Sequence, residues 1–240
     1  MDYDIVVIGA GIHGAAVAQA GAAAGYRVLV LEQFSQPACG TSSKSSKLIH
    51  GGLRYLESAQ IALVRECLVE RGRLLRNAPH LVRIKPFHIP VYRDTRRRPW
   101  KIALGLSLYA LLGGKGFNTL PRSQWSQLDG LRSEGLQRVY RYYDAQTDDA
   151  ALTRAVLASA ESLGAELRFS CRFQRAECSD HICKVYYQEQ GSSQSLQTAT
   201  IVNTAGAWVN RVLETIQPPP QTIGIDLVQG SHIVLRGRLE

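Results

Sequence analysis

The sequence predicts an α/β fold, and three observations carry that reading. The unbroken apolar run at the amino terminus, Asp4-Ile5-Val6-Val7-Ile8-Gly9, has the pattern of a strand buried on both faces of a parallel sheet. Glycines at 9, 11 and 14 follow at once, and Ala15–Ala24, dominated by small helix-compatible residues, ends at Gly25. A second apolar run, Arg27–Leu31, then closes on Glu32. Strand, turn, helix and strand in that order form a βαβ unit, the opening of a Rossmann-like sheet.

The spacing in the first turn points to a dinucleotide. Gly9 permits the tight turn, Gly11 lets backbone amides approach a pyrophosphate, and Gly14 lets the helix pack close to the strand. Ile12 and His13 lie in the first helical turn, whose N-terminus offers partial positive charge to phosphates. Glu32, with Gln33 after it, stands where a carboxylate can accept hydrogen bonds from both hydroxyls of an adenosine ribose. FAD and NAD satisfy this fingerprint equally.

The remaining elements follow in order. Residues 40–57, Gly-Thr-Ser-Ser-Lys-Ser-Ser-Lys-Leu-Ile-His-Gly-Gly-Leu-Arg-Tyr-Leu-Glu, are too polar and glycine-rich for a core element. Their serines offer hydroxyls and amides to phosphate or ring edges, and Gly51-Gly52 removes the β-carbons that would keep backbone from a flat ligand. A solvated serine-rich loop is the plainer reading of the same residues. If Gly52 onward starts a helix, His50 and Arg54 point to one side. Ile61–Leu75 reads as a packing helix with Ile61, Val64, Leu68 and Leu75 near one face and Arg65, Glu66, Glu70 and Arg71 elsewhere.

Arg93–Lys101 carries five cations and one anion and runs into the apolar stretch Ile102–Leu112. That is short of the ~18 residues of a membrane span and suits an interfacial element or a buried helix beside solvated arginines. Asp148 and Asp149 precede a helix over Ala150–Leu163 and read as its N-terminal cap. Strand candidates at Ala165–Phe169, Phe173–Glu177, Ile182–Gln188 and Leu196–Val202 suggest a small β-meander before a closing strand, Thr200–Trp208, that brings small residues near a cofactor. A helix is expected over Val209–Ile216, ended by Pro218-Pro219-Pro220.

Composition sets outer limits. The chain has 240 residues, 45% of them hydrophobic, enough to bury a core, and its net charge of +8 suits anionic partners. No aromatic–basic interleaving of an RNA-binding module occurs, so nucleic acid is not expected. The five cysteines match no zinc spacing, and reduced thiols are the expected state; no metal site is assigned.

The glycine fingerprint, the run Ser45–Glu57, the run Tyr143-Asp144-Ala145-Gln146-Thr147-Asp148-Asp149-Ala150, the strand end Val202–Trp208 and Gln229-Gly230-Ser231-His232-Ile233-Val234 together resemble the FAD-dependent glycerol-3-phosphate dehydrogenases, of the D-amino-acid-oxidase-like flavoprotein class. The resemblance runs along almost the whole chain. It implies a Rossmann-like FAD-binding domain with a β-meander, residues 1–75 with 145–217, and part of an α+β substrate or cap domain, residues 76–144 with 218–240. It implies oxidation of sn-glycerol 3-phosphate by hydride transfer to the flavin, with quinone as electron acceptor.

The cofactor residues that the fingerprint and the resemblance nominate are Gly9, Gly11, Ile12, His13, Gly14, Glu32, Gln33, Thr41, Ser42, Ser43, Ser46, Lys47, Leu48, His50, Gly51, Gly52, Thr204, Ala205, Gly206 and Trp208. Arg54 and Tyr55 are implied as substrate contacts, and His50 and His232 stand as alternative bases beside Arg54. A cytoplasmic protein is expected, either free or held at the cytoplasmic face of the inner membrane through 93–112. The family carries a further segment beyond the position of Glu240, so an amino-terminal portion is expected here, with Leu239-Glu240 a possible vector scar. A flavin oxidase or dehydrogenase of another small amine or hydroxy acid, or a truncated FAD-binding fragment without turnover, is the alternative.

Overall fold

The computed structural model describes residues 1–113, 115–128, 130–222 and 224–233. In chain order the elements are β1 (Tyr3–Ile8), α1 (Ile12–Ala23), β2 (Val28–Leu31), β3 (Leu48–Ile49), α2 (Ile61–Asn77), β4 (Val82–Tyr92), α3 (Pro99–Gly113), β5 (Asn118–Thr119), β6 (Leu136–Thr147), α4 (Asp149–Ser162), β7 (Glu166–Arg168), β8 (Cys171–Cys178), β9 (Cys183–Glu189), β10 (Ser192–Asn203), α5 (Val209–Leu213) and β11 (Ile216–Gln217). They group into two units: residues 1–45 with 148–231, and residues 46–147 with 232–240. The expected division placed 46–75 and 145–147 with the first unit and 218–231 with the second; all three stretches group the other way.

The first unit is built on a sheet ordered β11-β8-β9-β10-β1-β2-β7. β1 lies between β10 and β2, parallel to both, which is why its Val6 and Val7 are wholly buried and why the run lacks alternation. The expected meander forms as β8–β9–β10, antiparallel throughout, but its first expected strand, at Ala165–Phe169, is β7 and pairs instead in parallel with β2 at the far edge of the sheet. β10 joins the two halves: residues 192–198 pair with β9, and 198–203 pair with β1.

One face of this sheet carries α1 and α4, with Val7, Ala15, Ala18, Val28, Val30, Leu157 and Ala160 in a common core. α1 approaches closely because its buried positions are Gly14, Ala15, Ala18, Gly21 and Ala22. A β-carbon at Gly21 would stand 2.9 Å from Val28 Cγ2. The opposite face packs Val6, Leu29, Leu31, Val185, Tyr187 and Leu196.

α4 begins where the aspartates predict. The Asp148 carboxylate accepts from the Ala151 backbone N–H at 2.9 Å, while Asp149 accepts from the Ser45 N–H and hydroxyl. Asp148→Ala should therefore lower the unfolding free energy by about 1 kcal/mol, read from the denaturation midpoint; a change indistinguishable from zero would show that the cap is dispensable.

Two expectations are corrected here. Helix α5 stops at Leu213, and Ile216 is a buried strand residue: β11 pairs with β8, so the end of this segment serves the sheet, which a local helical pattern cannot reveal. Cys178 and Cys183 form a disulfide, whereas Cys39, Cys67 and Cys171 are free thiols. The β8–β9 register sets Cys178 opposite Cys183 with Cα atoms 4.0 Å apart, so their spacing of five reflects a hairpin tip. Burial beside the Glu189 carboxylate pushes the Cys171 thiol up to about 11.

The second unit has an antiparallel sheet ordered β3-β6-β4, with β5 on β6. β4 and β6 are its long strands, and α2 and α3 supply Val64, Leu68, Leu106 and Tyr109 to its core. No helix among the described residues is long and apolar enough to cross a membrane.

Candidate functional site

The turn after β1 is held by two clamps. Gly9 has φ of +102°, a left-handed conformation that glycine alone adopts without strain. The Thr204 hydroxyl donates to the carbonyls of Ile8 and Gly9, so this residue, nominated as a cofactor contact, works in the structure as the lock on the turn. A β-carbon at Gly14 would stand 1.9 Å from the Gly9 carbonyl oxygen and 2.8 Å from Thr204 Oγ1. Helix and turn are therefore in backbone contact, and glycine is required for it.

Glu32, buried directly after β2, accepts the Ala10 N–H at 2.7 Å through Oε2 and the Phe34 N–H at 3.0 Å through Oε1. A carboxylate has about four acceptor positions, so one on each oxygen remains for a diol. Gly11, at the N-cap of α1, supplies no side-chain cap; the Ile12 N–H instead donates to Ser42 Oγ at 2.9 Å, from the 3-10 turn Thr41–Ser43. Ser42 thereby brings the serine loop to the helix N-terminus. A β-carbon on Gly11 would stand 3.0 Å from that hydroxyl, and one on Gly40 would lie at ordinary contact distance from the Trp208 ring.

These features fit a dinucleotide: a turn with glycine at 9, 11 and 14, a helix N-terminus whose own N-cap residue has no side chain, and a buried acceptor after the second strand. His13 and Gln33 are exposed beside them. Ala205 donates its N–H to Asn203 Oδ1, and Gly206–Trp208 forms a 3-10 turn beyond β10. The first unit thus holds fourteen of the nominated residues: Gly9, Gly11, Ile12, His13, Gly14, Glu32, Gln33, Thr41, Ser42, Ser43, Thr204, Ala205, Gly206 and Trp208.

The second unit holds Ser46, Lys47, Leu48, His50, Gly51, Gly52, Arg54, Tyr55 and His232. Lys47 precedes β3 with φ of +62° and accepts the Thr147 N–H through its carbonyl. After β3 the chain turns at Gly52, with φ of +69°, into a 3-10 helix over Leu53–Ser58. The expected α-helical pairing of His50 with Arg54 is not formed, because His50 precedes the turn and the helix has three residues per turn. A β-carbon on Gly52 would stand 2.4 Å from Tyr55 Cδ2, so Gly52 makes room for the Tyr55 ring.

His50 has a defined orientation. Its Nδ1 accepts the Gly52 N–H at 3.0 Å, so the neutral imidazole carries its proton on Nε2. Held this way, the ring donates from Nε2 and takes up a proton only by giving up Gly52. Arg54 and Tyr55 are exposed, and the Arg54 charge partly offsets the burial and the Asp144 charge that push the Tyr142 hydroxyl upward. His232 is exposed in an irregular stretch, and Val234, the last residue of the run that begins at Gln229, lies outside the described residues.

Beneath Gly51 lies a buried polar network that sequence reading did not find. Arg71 Nη1 donates to Asp144 Oδ1 at 2.6 Å and to the Tyr143 carbonyl at 3.3 Å. The Tyr109 hydroxyl donates to the same carboxylate oxygen at 2.8 Å and accepts the Gly51 N–H at 2.8 Å, with Asp144 Oδ1 a second acceptor at 3.3 Å. Burial, then the Asp144 charge and hydrogen bond, push the Tyr109 hydroxyl well above its ordinary value, so it stays a donor. A β-carbon on Gly51 would meet Leu68 Cδ2 at 2.3 Å and the Tyr109 hydroxyl at 2.5 Å. The signal for Arg71 was available: Val64, Leu68 and Arg71 follow the i, i+4, i+7 stripe of α2, all three are buried, and Ile61 is exposed instead.

Comparison with known proteins agrees with this geometry. The family model described as FAD dependent oxidoreductase matches residues 4–240. A glycerol-3-phosphate dehydrogenase of Pseudomonas aeruginosa is 39% identical over 237 residues, covering 97% of this chain and 45% of its own. A D-erythritol 1-phosphate dehydrogenase of Brucella abortus is 35% identical over 247 residues, with coverages of 97% and 47%. The chain thus spans about half the length of these curated relatives. Among solved structures, the glycerol-3-phosphate dehydrogenase from Bacillus halodurans complexed with FAD superposes with a TM-score of 0.68 at 24% identity, covering 89% of this chain and 36% of that one; the likeness establishes the shared fold.

Proposed function

The chain belongs to the family of FAD dependent oxidoreductases, and from that premise we propose that it takes part in the FAD-dependent oxidation of sn-glycerol 3-phosphate to dihydroxyacetone phosphate. The observation that carries the flavin part is the β1–α1 cradle, closed to any β-carbon at Gly14, with Glu32 buried behind it. The substrate part is supported by relatives that are 35–39% identical over 97% of this chain and are named for phosphorylated polyols. The Brucella abortus relative favours D-erythritol 1-phosphate as the second reading.

When bound, FAD supplies the acceptor for a hydride leaving the secondary carbon. The chain supplies the rest. The first unit binds the dinucleotide: Gly9, Gly11 and Gly14 admit the pyrophosphate to the start of α1, and Glu32 receives the ribose hydroxyls. The second unit handles substrate: Arg54 pairs with phosphate through its guanidinium fork, and Tyr55 donates a hydrogen bond. His50, whose Nε2–H is free to donate while Nδ1 is held by Gly52, orients a substrate oxygen. His232 then takes the hydroxyl proton.

The proposal extends to a quinone as electron acceptor, a cytoplasmic location and a peripheral membrane contact through 93–112. Supporting the contact, α3 leaves Trp100, Leu104 and Leu111 63%, 65% and 81% exposed beside the arginine run.

Adding sn-glycerol 3-phosphate anaerobically to the FAD-loaded protein should bleach the oxidised-flavin band, with D-erythritol 1-phosphate and glycerol as comparisons. Bleaching by glycerol alone would remove the phosphate clamp from the scheme, and no bleaching by any of the three would leave an FAD-binding protein without turnover. Flavin reduction by sn-glycerol 3-phosphate should slow at least ~100-fold in His232→Asn and much less in His50→Asn. The reverse pattern would assign the base to His50.

A further inference from the structure

The second unit contains a cavity of about 760 Å³ that shares no residue with the nominated site. It is lined by Arg93 after β4, Trp100 in the first turn of α3, Arg122 in the 3-10 turn after β5, and Gln137, Arg138 and Tyr140 of β6. Four separate segments therefore line one concavity, and three of them each contribute an arginine to its wall. No carboxylate lines it, and among the described residues none of the three arginines forms an ion pair. Of the arginines nearby, Arg97 pairs with Glu57 and Arg132 with Asp94.

The placement is built into the sheet. Val91 faces Arg138 and Tyr92 faces Leu136, so the register shift leaves Gln137 without an opposite residue. Such a bulge breaks the alternation of a strand, and Leu136, Gln137 and Arg138 consequently all line one cavity. The floor is fixed by the Tyr140 hydroxyl, which donates to the Pro99 carbonyl at 3.0 Å, and by Arg122 lying against the Trp125 ring.

Three cations gathered without a counter-charge raise the local potential and favour an anion that can meet several guanidinium forks at once. Phosphate does this in the bidentate manner, and the Trp100 ring and Leu136 offer apolar surface to whatever the phosphate is attached to. We propose that this cavity is a binding site for a phosphate-bearing anion, separate from the site of oxidation and independent of the flavin reading. The phosphate could come from a soluble phosphate ester or from the headgroup of an anionic lipid.

The test is calorimetric titration of the FAD-saturated protein with inorganic pyrophosphate, with total ionic strength held constant by sodium chloride. The double substitution Arg122→Gln/Arg138→Gln, at two exposed positions, should weaken binding at least ~10-fold, while Arg172→Gln, exposed on the first unit, should leave it unchanged within about twofold. Equal affinity of the double variant and the parent, or no binding by the parent at constant ionic strength, would overturn the proposal. Phosphatidylcholine vesicles containing phosphatidylglycerol then separate the sources. Competition between vesicles and pyrophosphate identifies a lipid headgroup, and pyrophosphate binding unaffected by vesicles identifies a soluble ester.

Discussion

Gly14→Ala should give a folded protein that no longer retains FAD. The added methyl would stand 1.9 Å from the Gly9 carbonyl oxygen, a contact with backbone that no rotamer change relieves. Helix α1 must then withdraw from the turn by roughly 1 Å or more, against a core already packed at crystal-like density. Overpacking of this kind costs about 1–3 kcal/mol, and here it falls on the element that admits the pyrophosphate. The Thr204 hydroxyl, 2.8 Å from the same position, would be pushed from its bonds to Ile8 and Gly9 as well.

A loss of at least ~100-fold in FAD affinity is expected, measured by quenching of flavin fluorescence. Gly11→Ala is the internal comparison. Its methyl meets only the Ser42 hydroxyl at 3.0 Å, the end of a side chain that can rotate, so the loss should be much smaller. If the Gly14 variant bound FAD within threefold of the parent, the cradle would not be the flavin site.

Asp144→Ala should cost about 3–5 kcal/mol of unfolding free energy, the largest stability effect expected in the second unit. Arg71 and Asp144 are each nearly sealed from water, with side chains 4% and 3% exposed. Removing the carboxylate leaves a buried guanidinium uncompensated and deprives the Tyr109 hydroxyl of its acceptor. Replacing both partners, Arg71→Met with Asp144→Leu, should recover much of the loss, because burying two apolar groups avoids desolvating two charges. Tyr109→Phe should cost about 1–2 kcal/mol, since the Gly51 N–H keeps its longer contact with Asp144.

Denaturant unfolding gives the energies, and hydrogen exchange at the Gly51 amide gives the local consequence: protection should fall sharply in Asp144→Ala. Unchanged protection would mean that the network does not hold the His50–Gly52 segment. Equal instability of the single and double variants would mean that packing alone, without charge, explains the cost.

Much of the site was legible because its chemistry rests on short-range backbone requirements. The glycines at 9, 11 and 14, the apolar run before them and the acid after the second strand are local signals, and the structure sets all of them around one turn. The Asp148 cap was legible for the same reason, since a side chain three residues from its partner N–H is a local event. Arg71 escaped because a charged residue on a helix is ordinarily solvated; its partner lies 73 residues away on β6, and only strand pairing and helix packing bring the two together. The Cys178–Cys183 bond and the end of α5 escaped similarly, one set by hairpin register and the other by an unforeseen strand, β11.

By itself the sequence determined the α/β class and the dinucleotide turn, because tight turns, strand burial and helix starts are imposed by residues within a few positions of one another; the flavin entered through resemblance to a family, not through those local signals. Only the tertiary structure decided where the two units divide, how His50 is oriented, what lies beneath Gly51 and which arginines share a cavity. Those features depend on segments distant in the chain, whose side chains acquire neighbours and lose water only once the sheets have formed.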